Sequence, residues 1–276
     1  MSSKKILKLY ANDSLIKLNS SLKVIVQILL DRLYQDLNEF ANYYNLQNHN
    51  CFKMQLSNNI SIDEHIEIVD ISNQGQLDSW IQEKNNDKNH LHLCIVEFPL
   101  GERTHDSVSV VHLPLNIHLP ETLTETNSDL KKSESLGNVL GCWLHEILHL
   151  FGCFHASTGI MSGTMDISSW LLSESAEDII DRTTKLILCC SIYSNSFTNS
   201  SDSIKGNLSK EYLHVSSTSG IALIVWLNGT VYKPNYQLLP DLSKEVKVAP
   251  LSDSNTWDCV MVYASDGSSR YFVRSQ

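Results

Sequence analysis

The segment His145-Glu146-Ile147-Leu148-His149-Leu150-Phe151-Gly152-Cys153-Phe154-His155 decides how the rest of the chain is read. It continues a run in which Leu136, Val139, Leu140, Trp143, Leu144, Ile147, Leu148 and Phe151 recur at helical spacing. That spacing predicts a helix from Ser133 to Phe151, apolar on most sides and therefore buried. Gly152 supplies a left-handed stop just beyond it. Asn138, Cys142, His145 and His149 form the one small and polar stripe on this helix. Residues four apart lie one turn above each other, so His145 and His149 aim both imidazoles at one point. A sharp turn at Gly152 lets the chain bring His155 back toward the same point.

Three neutral imidazoles suit Zn²⁺ in its catalytic form, which takes three protein ligands and keeps a fourth position for water. His145, His149 and His155 are the expected ligands. Glu146, beside a ligand but directed at the water, is the expected general base, and the ion would polarise the carbonyl under attack. The function this points to is zinc-dependent hydrolysis of peptide bonds in a protein or peptide substrate. The alternative is a noncatalytic, zinc-containing module that binds a peptide or a partner protein. Glu146 argues against it, because a purely structural three-histidine site has no use for a base there. A third reading gives the work to a carbohydrate-binding carboxy-terminal region.

The eleven residues read HExxHxxGxxH and resemble the metzincin clan of zinc metallopeptidases, in which this signature is followed by a Met-turn. Gly159-Ile160-Met161 is the matching segment. The resemblance implies that Met161 forms a hydrophobic floor under the metal, with Met165 as the fallback. Within the clan, the chain is most similar to a fungal family of intracellular zinc metallopeptidases. These share a short segment between third ligand and methionine and a β-rich, jacalin-like carboxy-terminal region; the match covers roughly residues 60–276. The resemblance implies an α+β fold: a zincin-like catalytic domain with a mixed sheet over the active-site helix, then a small all-β region. The edge strand of that sheet would pair with the substrate backbone. No Tyr follows the turn where astacin-like members keep one, so a tyrosine ligand is not implied.

Outward from the motif, Leu22 to Tyr44 has the spacing of an amphipathic helix. Ile66 to Ile71 and Leu91 to Val96 read as strands flanking a short helix, Gln76 to Lys84. Ser107 to Ile117 reads as extended, and Pro114 within it argues for an edge strand, the candidate for substrate pairing. His118 to Ser133 is polar and loop-like. Ala176 to Tyr193 reads as helix and Ser191 to Ser203 as a linker. Beyond it come β-prone runs at Ile221 to Leu227, Glu245 to Val248, Val260 to Tyr263 and Tyr271 to Arg274, with turn pairs Asn228-Gly229 and Asp266-Gly267. The expected division is therefore 1–195 for the catalytic domain and 206–276 for the β-rich region. Residues 1–60 are open between a regulatory helix and part of the fold.

Other candidate ligands rank lower. His90 and His92 share one side of a strand, His112 and His118 read as strand or surface residues, and Cys142 is the one thiol near the ligand stripe. Cys189 and Cys190 read as core. The chain has 276 residues, 42% hydrophobic and 19% charged, which suits a globular protein able to bury a core without a metal or disulfide staple. A net charge of −10 repels phosphate backbones and anionic lipid, so neither nucleic acid nor membrane is an expected partner. The greasiest stretch, Val24 to Leu33, is broken by Gln27, Asp31 and Arg32, and Asn12, Asp13 and Lys17 interrupt any signal-peptide core. Seven cysteines without a CxxC pair suggest reduced thiols, hence cytoplasm or nucleus, where sequons such as Asn59-Ile60-Ser61 carry no glycan.

Overall fold

The computed structural model describes residues 5–44, 60–87, 89–98, 104–105, 107–120, 134–163, 165–172, 179–192, 203–209, 211–229, 231–239, 241–249, 257–266 and 268–274. The expected loop before Ser133 and the linker Ser191 to Ser203 fall mostly outside them. The chain opens with β1 (Lys5–Ala11), α1 (Asp13–Leu18), α2 (Leu22–Tyr43), β2 (Ile60–Ile68), α3 (Gln74–Lys84), β3 (His90–Val96), β4 (Thr104–His105) and β5 (Val108–His112). Then come α4 (Glu134–Leu150), β6 (His155–Ala156), a 3₁₀ turn (Ile160–Ser162), α5 (Ser168–Leu171) and α6 (Arg182–Ile192). Seven further strands follow: β7 (Ile204–Leu208), β8 (Leu213–Ser217), β9 (Ile221–Asn228), β10 (Val231–Leu238), β11 (Glu245–Val248), β12 (Cys259–Ala264) and β13 (Ser269–Val273). The fold is α+β.

The first sheet has the order β2-β1-β3-β5-β4, with the first four strands parallel and β4 antiparallel at one edge. Its central strands are apolar on both faces, as a sheet covered on both sides requires. Leu7, Leu9, Leu91, Leu93, Ile95 and Val111 join the core that holds α2, α4 and α6, whereas Tyr10, Cys94, Val96, Val108 and Val110 pack with Leu77, Trp80 and Ile81 of α3. Fully burying an aliphatic side chain contributes about 1.5–3 kcal/mol, so these two faces set the register of the sheet. The amino-terminal segment thereby settles as part of the fold: β1 lies between β2 and β3, and α2 packs beside it.

Strand β5 is shorter than the extended run expected from Ser107 to Ile117. Pairing ends at His112; Leu113 still donates its N–H to Val96, and Pro114 then starts a turn closed by Ile117 N–H. Pro114 is therefore outside the strand, and β4 covers Val108 and Ser109 on the side where an open edge was expected.

The remaining strands form a five-stranded sheet, β13-β12-β9-β10-β6, and a three-stranded sheet, β11-β8-β7. Trp226 and Trp257 meet edge to face, 4.7 Å between ring centres, in the core between them. Strand β9 is buried on both sides: Ile221, Ile224 and Trp226 serve this second core, while Leu223, Val225 and Leu227 enter the first, with Cys259, Met261 and Tyr263 of β12. The expected division falls between α6 and β7, yet one hydrophobic core runs across it.

Candidate metal centre

Helix α4 ends where the glycine predicts. Gly152 has φ +84°, its N–H bonds the carbonyl of His149, and the N–H of Cys153 reaches back to Leu148, the two bonds of a Schellman motif. The turn also presents the carbonyl of Cys153 to His149, whose Nδ1 lies 2.7 Å from it. The Nδ1 of His145 lies 2.8 Å from the carbonyl of Ile160, in the 3₁₀ turn. That turn is pinned in place: Gly159 has φ +69°, a Cβ there would press on the carbonyl of Ile179 at 2.7 Å, and Ile160 N–H bonds the same carbonyl at 2.7 Å. His155 sits on β6, paired in register with Val231 of β10.

A carbonyl only accepts, so both Nδ1 atoms carry protons, and each ring in its neutral form presents an Nε2 lone pair. Those two Nε2 atoms are 3.0 Å apart. Two lone pairs at that distance repel unless a proton or a metal ion lies between them. The nitrogens of His145, His149 and His155 all lie within 4.8 Å of one another, and this is the one such group of metal-binding side chains among the described residues. Ligands about 2.0–2.1 Å from a tetrahedral zinc stand about 3.3 Å apart, so the donor set fits that ion in number and type, and the His145–His149 pair is close to it in spacing. Burial holds the pKa of His149 below its ordinary value, with the neighbouring His145 and His155 adding to the effect against the Cys153 carbonyl and Glu146. The neutral, ligating form is thus favoured before any metal arrives.

Glu146, next to His145 on α4, is partly buried, and the Ser109 hydroxyl on β5 donates to its Oε2 at 3.1 Å. Met161 is fully buried in the 3₁₀ turn that holds His145. Met165 is only partly buried, and its carbonyl is packed so closely on α4 that a Cβ on Gly141 would overlap it. Cys142 is not in the histidine cluster. His112 accepts Trp143 Nε1–H at its carbonyl, tying β5 to α4, and His118 is exposed. His90 and His92 belong to the other sheet face: both approach Asp87, at 2.7 and 3.5 Å, and His92 Nδ1 lies 2.9 Å from the Tyr10 hydroxyl. Cys189 and Cys190 are core residues of α6.

Ser109, the two carbonyl partners and β10 had no place in the sequence reading. For Ser109 a signal existed, a single hydroxyl alternating with valines in Val108-Ser109-Val110-Val111, on the face turned to the helix. Comparisons with family models, with curated proteins and with solved structures found no match.

Proposed function

We propose that the chain is a zinc-dependent metallopeptidase of the zincin type, with His145, His149 and His155 as ligands and Glu146 as general base. The observation that carries this reading is the pair of Nδ1–carbonyl bonds that turns two helix imidazoles inward, lone pair to lone pair, beside a carboxylate. Zinc held there supplies Lewis acidity and lowers the pKa of a coordinated water to about 7. Glu146 takes the proton of the attacking water and returns it to the departing amine. The carbonyls of Cys153 and Ile160 hold the two rings in one tautomer and orientation, which also raises their basicity as ligands. Met161, buried in the turn whose Ile160 carbonyl holds His145, is the counterpart of the Met-turn residue. The mixed sheet with α4 against one face is what the zincin reading asks for, and the free thiols of the described cysteines suit cytoplasm or nucleus.

Elemental analysis and an unfolded, casein-like substrate test the proposal. Wild type and Glu146→Gln should each hold about one zinc per chain, and only wild type should cut. Equal cleavage by both removes Glu146 from the mechanism. Zinc in both with cleavage by neither makes the noncatalytic peptide- or partner-binding module the right reading.

A further inference from the structure

A general base works only when its carboxylate points the right way, and one residue outside the motif is placed to see to that. Along β5 the side chains alternate: Val108 and Val110 face α3, while Ser109 and Val111 face α4. Ser109 has no exposure to solvent, and its Oγ is 3.1 Å from Glu146 Oε2. A carboxylate oxygen accepts, so the hydroxyl donates. The backbone of Ser109 is fixed from both sides, in register with Leu93 of β3 and Thr104 of β4. Three residues on, the bond from Trp143 Nε1 to the His112 carbonyl locks the same strand to the helix that carries Glu146. A planar carboxylate tethered at its Cγ and held at one oxygen has the direction of its other oxygen set as well.

Resting on the metallopeptidase reading, we infer that Ser109 is a positioning residue for Glu146. The central sheet holds the base from behind, so its orientation does not depend on metal or substrate.

Two measurements test this. In metal-free protein, Ser109→Ala should lower the melting midpoint by about 2–4 °C, and the same change in a Glu146→Ala background should leave it nearly unmoved. In the zinc-loaded enzyme, Ser109→Ala should lower kcat about tenfold with KM and zinc content unchanged. A melting shift of equal size in both backgrounds would show mere packing and overturn the inference, as would a Ser109→Ala enzyme with wild-type kcat. A wild type that cuts nothing sinks the metallopeptidase reading instead, while the melting comparison still reports whether the hydroxyl and carboxylate are coupled. Should Ser109→Ala fail to fold, Ser109→Cys, close in volume and a far weaker donor, serves for both comparisons.

Discussion

His92 shows what a histidine does on the face of the sheet away from the candidate metal centre. It is 1% exposed, between the Tyr10 hydroxyl and the Asp87 carboxylate. Burial lowers its pKa below the ordinary 6.5; attraction to Asp87 opposes this, and Lys84, His90 and Lys8 add to it. The unfolded chain therefore takes up this proton first as pH falls. Stability from His92 is complete above about 6.5 and declines as pH drops through that value toward the lower folded pKa. Urea unfolding of metal-free protein should show a midpoint that falls between pH 8 and pH 5.5, with a shallower fall in His92→Gln, whose amide can still meet Tyr10. Equal slopes in the two proteins would assign the effect to other groups. At this scale the approach of His145 to His149 was legible, because residues four apart on a helix share one face. Asp87 as the partner of His90 and His92 was not, since a loop residue's approach to a strand depends on chain closure that no local period records.

Helix α4 is fixed in place by contacts at its glycines as much as by its apolar face. A Cβ on Gly141 would overlap the carbonyl of Met165, part of the backbone, whereas one on Gly137 would meet the side-chain ends of Asp166 and Ser168. Side chains can swing aside more readily than backbone can. Gly→Ala inside a helix gains about 0.5–1 kcal/mol from propensity, and forced overpacking costs about 1–3 kcal/mol. Gly137→Ala should therefore stay within about 1 kcal/mol of wild type, while Gly141→Ala should be about 2 kcal/mol less stable and bind zinc more weakly. Urea unfolding and metal titration read both, and equal costs would show that the Met165 carbonyl yields freely. Helices α2 and α3 and strand β3 were legible to within two residues, because one sustained apolar pattern specifies each. Strand β10 was not: its register against β9 shifts between Tyr232 and Tyr236, a stretch containing Pro234, which has no N–H to offer the ladder. Strand β1 hid for another reason, its short Lys-Ile-Leu-Lys-Leu-Tyr-Ala alternation resembling the charged start of a leader.

Across the whole molecule, the carboxy-terminal strands complete the core instead of hanging from it. Leu223, Val225, Leu227, Cys259, Met261 and Tyr263 pack in the same cluster as Ile147 and Leu148 of α4, Phe151 just beyond it, and Leu186, Ile187 and Leu188 of α6. A chain ending at residue 195 would leave that face bare, and His155 would lose the strand it pairs with. Such a fragment should aggregate, or remain dispersed without holding zinc; a monodisperse fragment carrying about one zinc would overturn this. The β-rich character of the last seventy or so residues could be read from their β-branched runs and turn pairs. Their docking onto the helices could not, because it depends on which side of β9 faces which core, and both sides are equally apolar.

The pairing of β6 with β10 also orders events in time. A polypeptide still leaving the ribosome carries the two helix imidazoles long before the stretch around Val231 has been synthesised, and until then the strand bearing His155 lacks its β10 partner. The strand that flanks His155 therefore joins the cluster only after the helix bearing the other two histidines has been made.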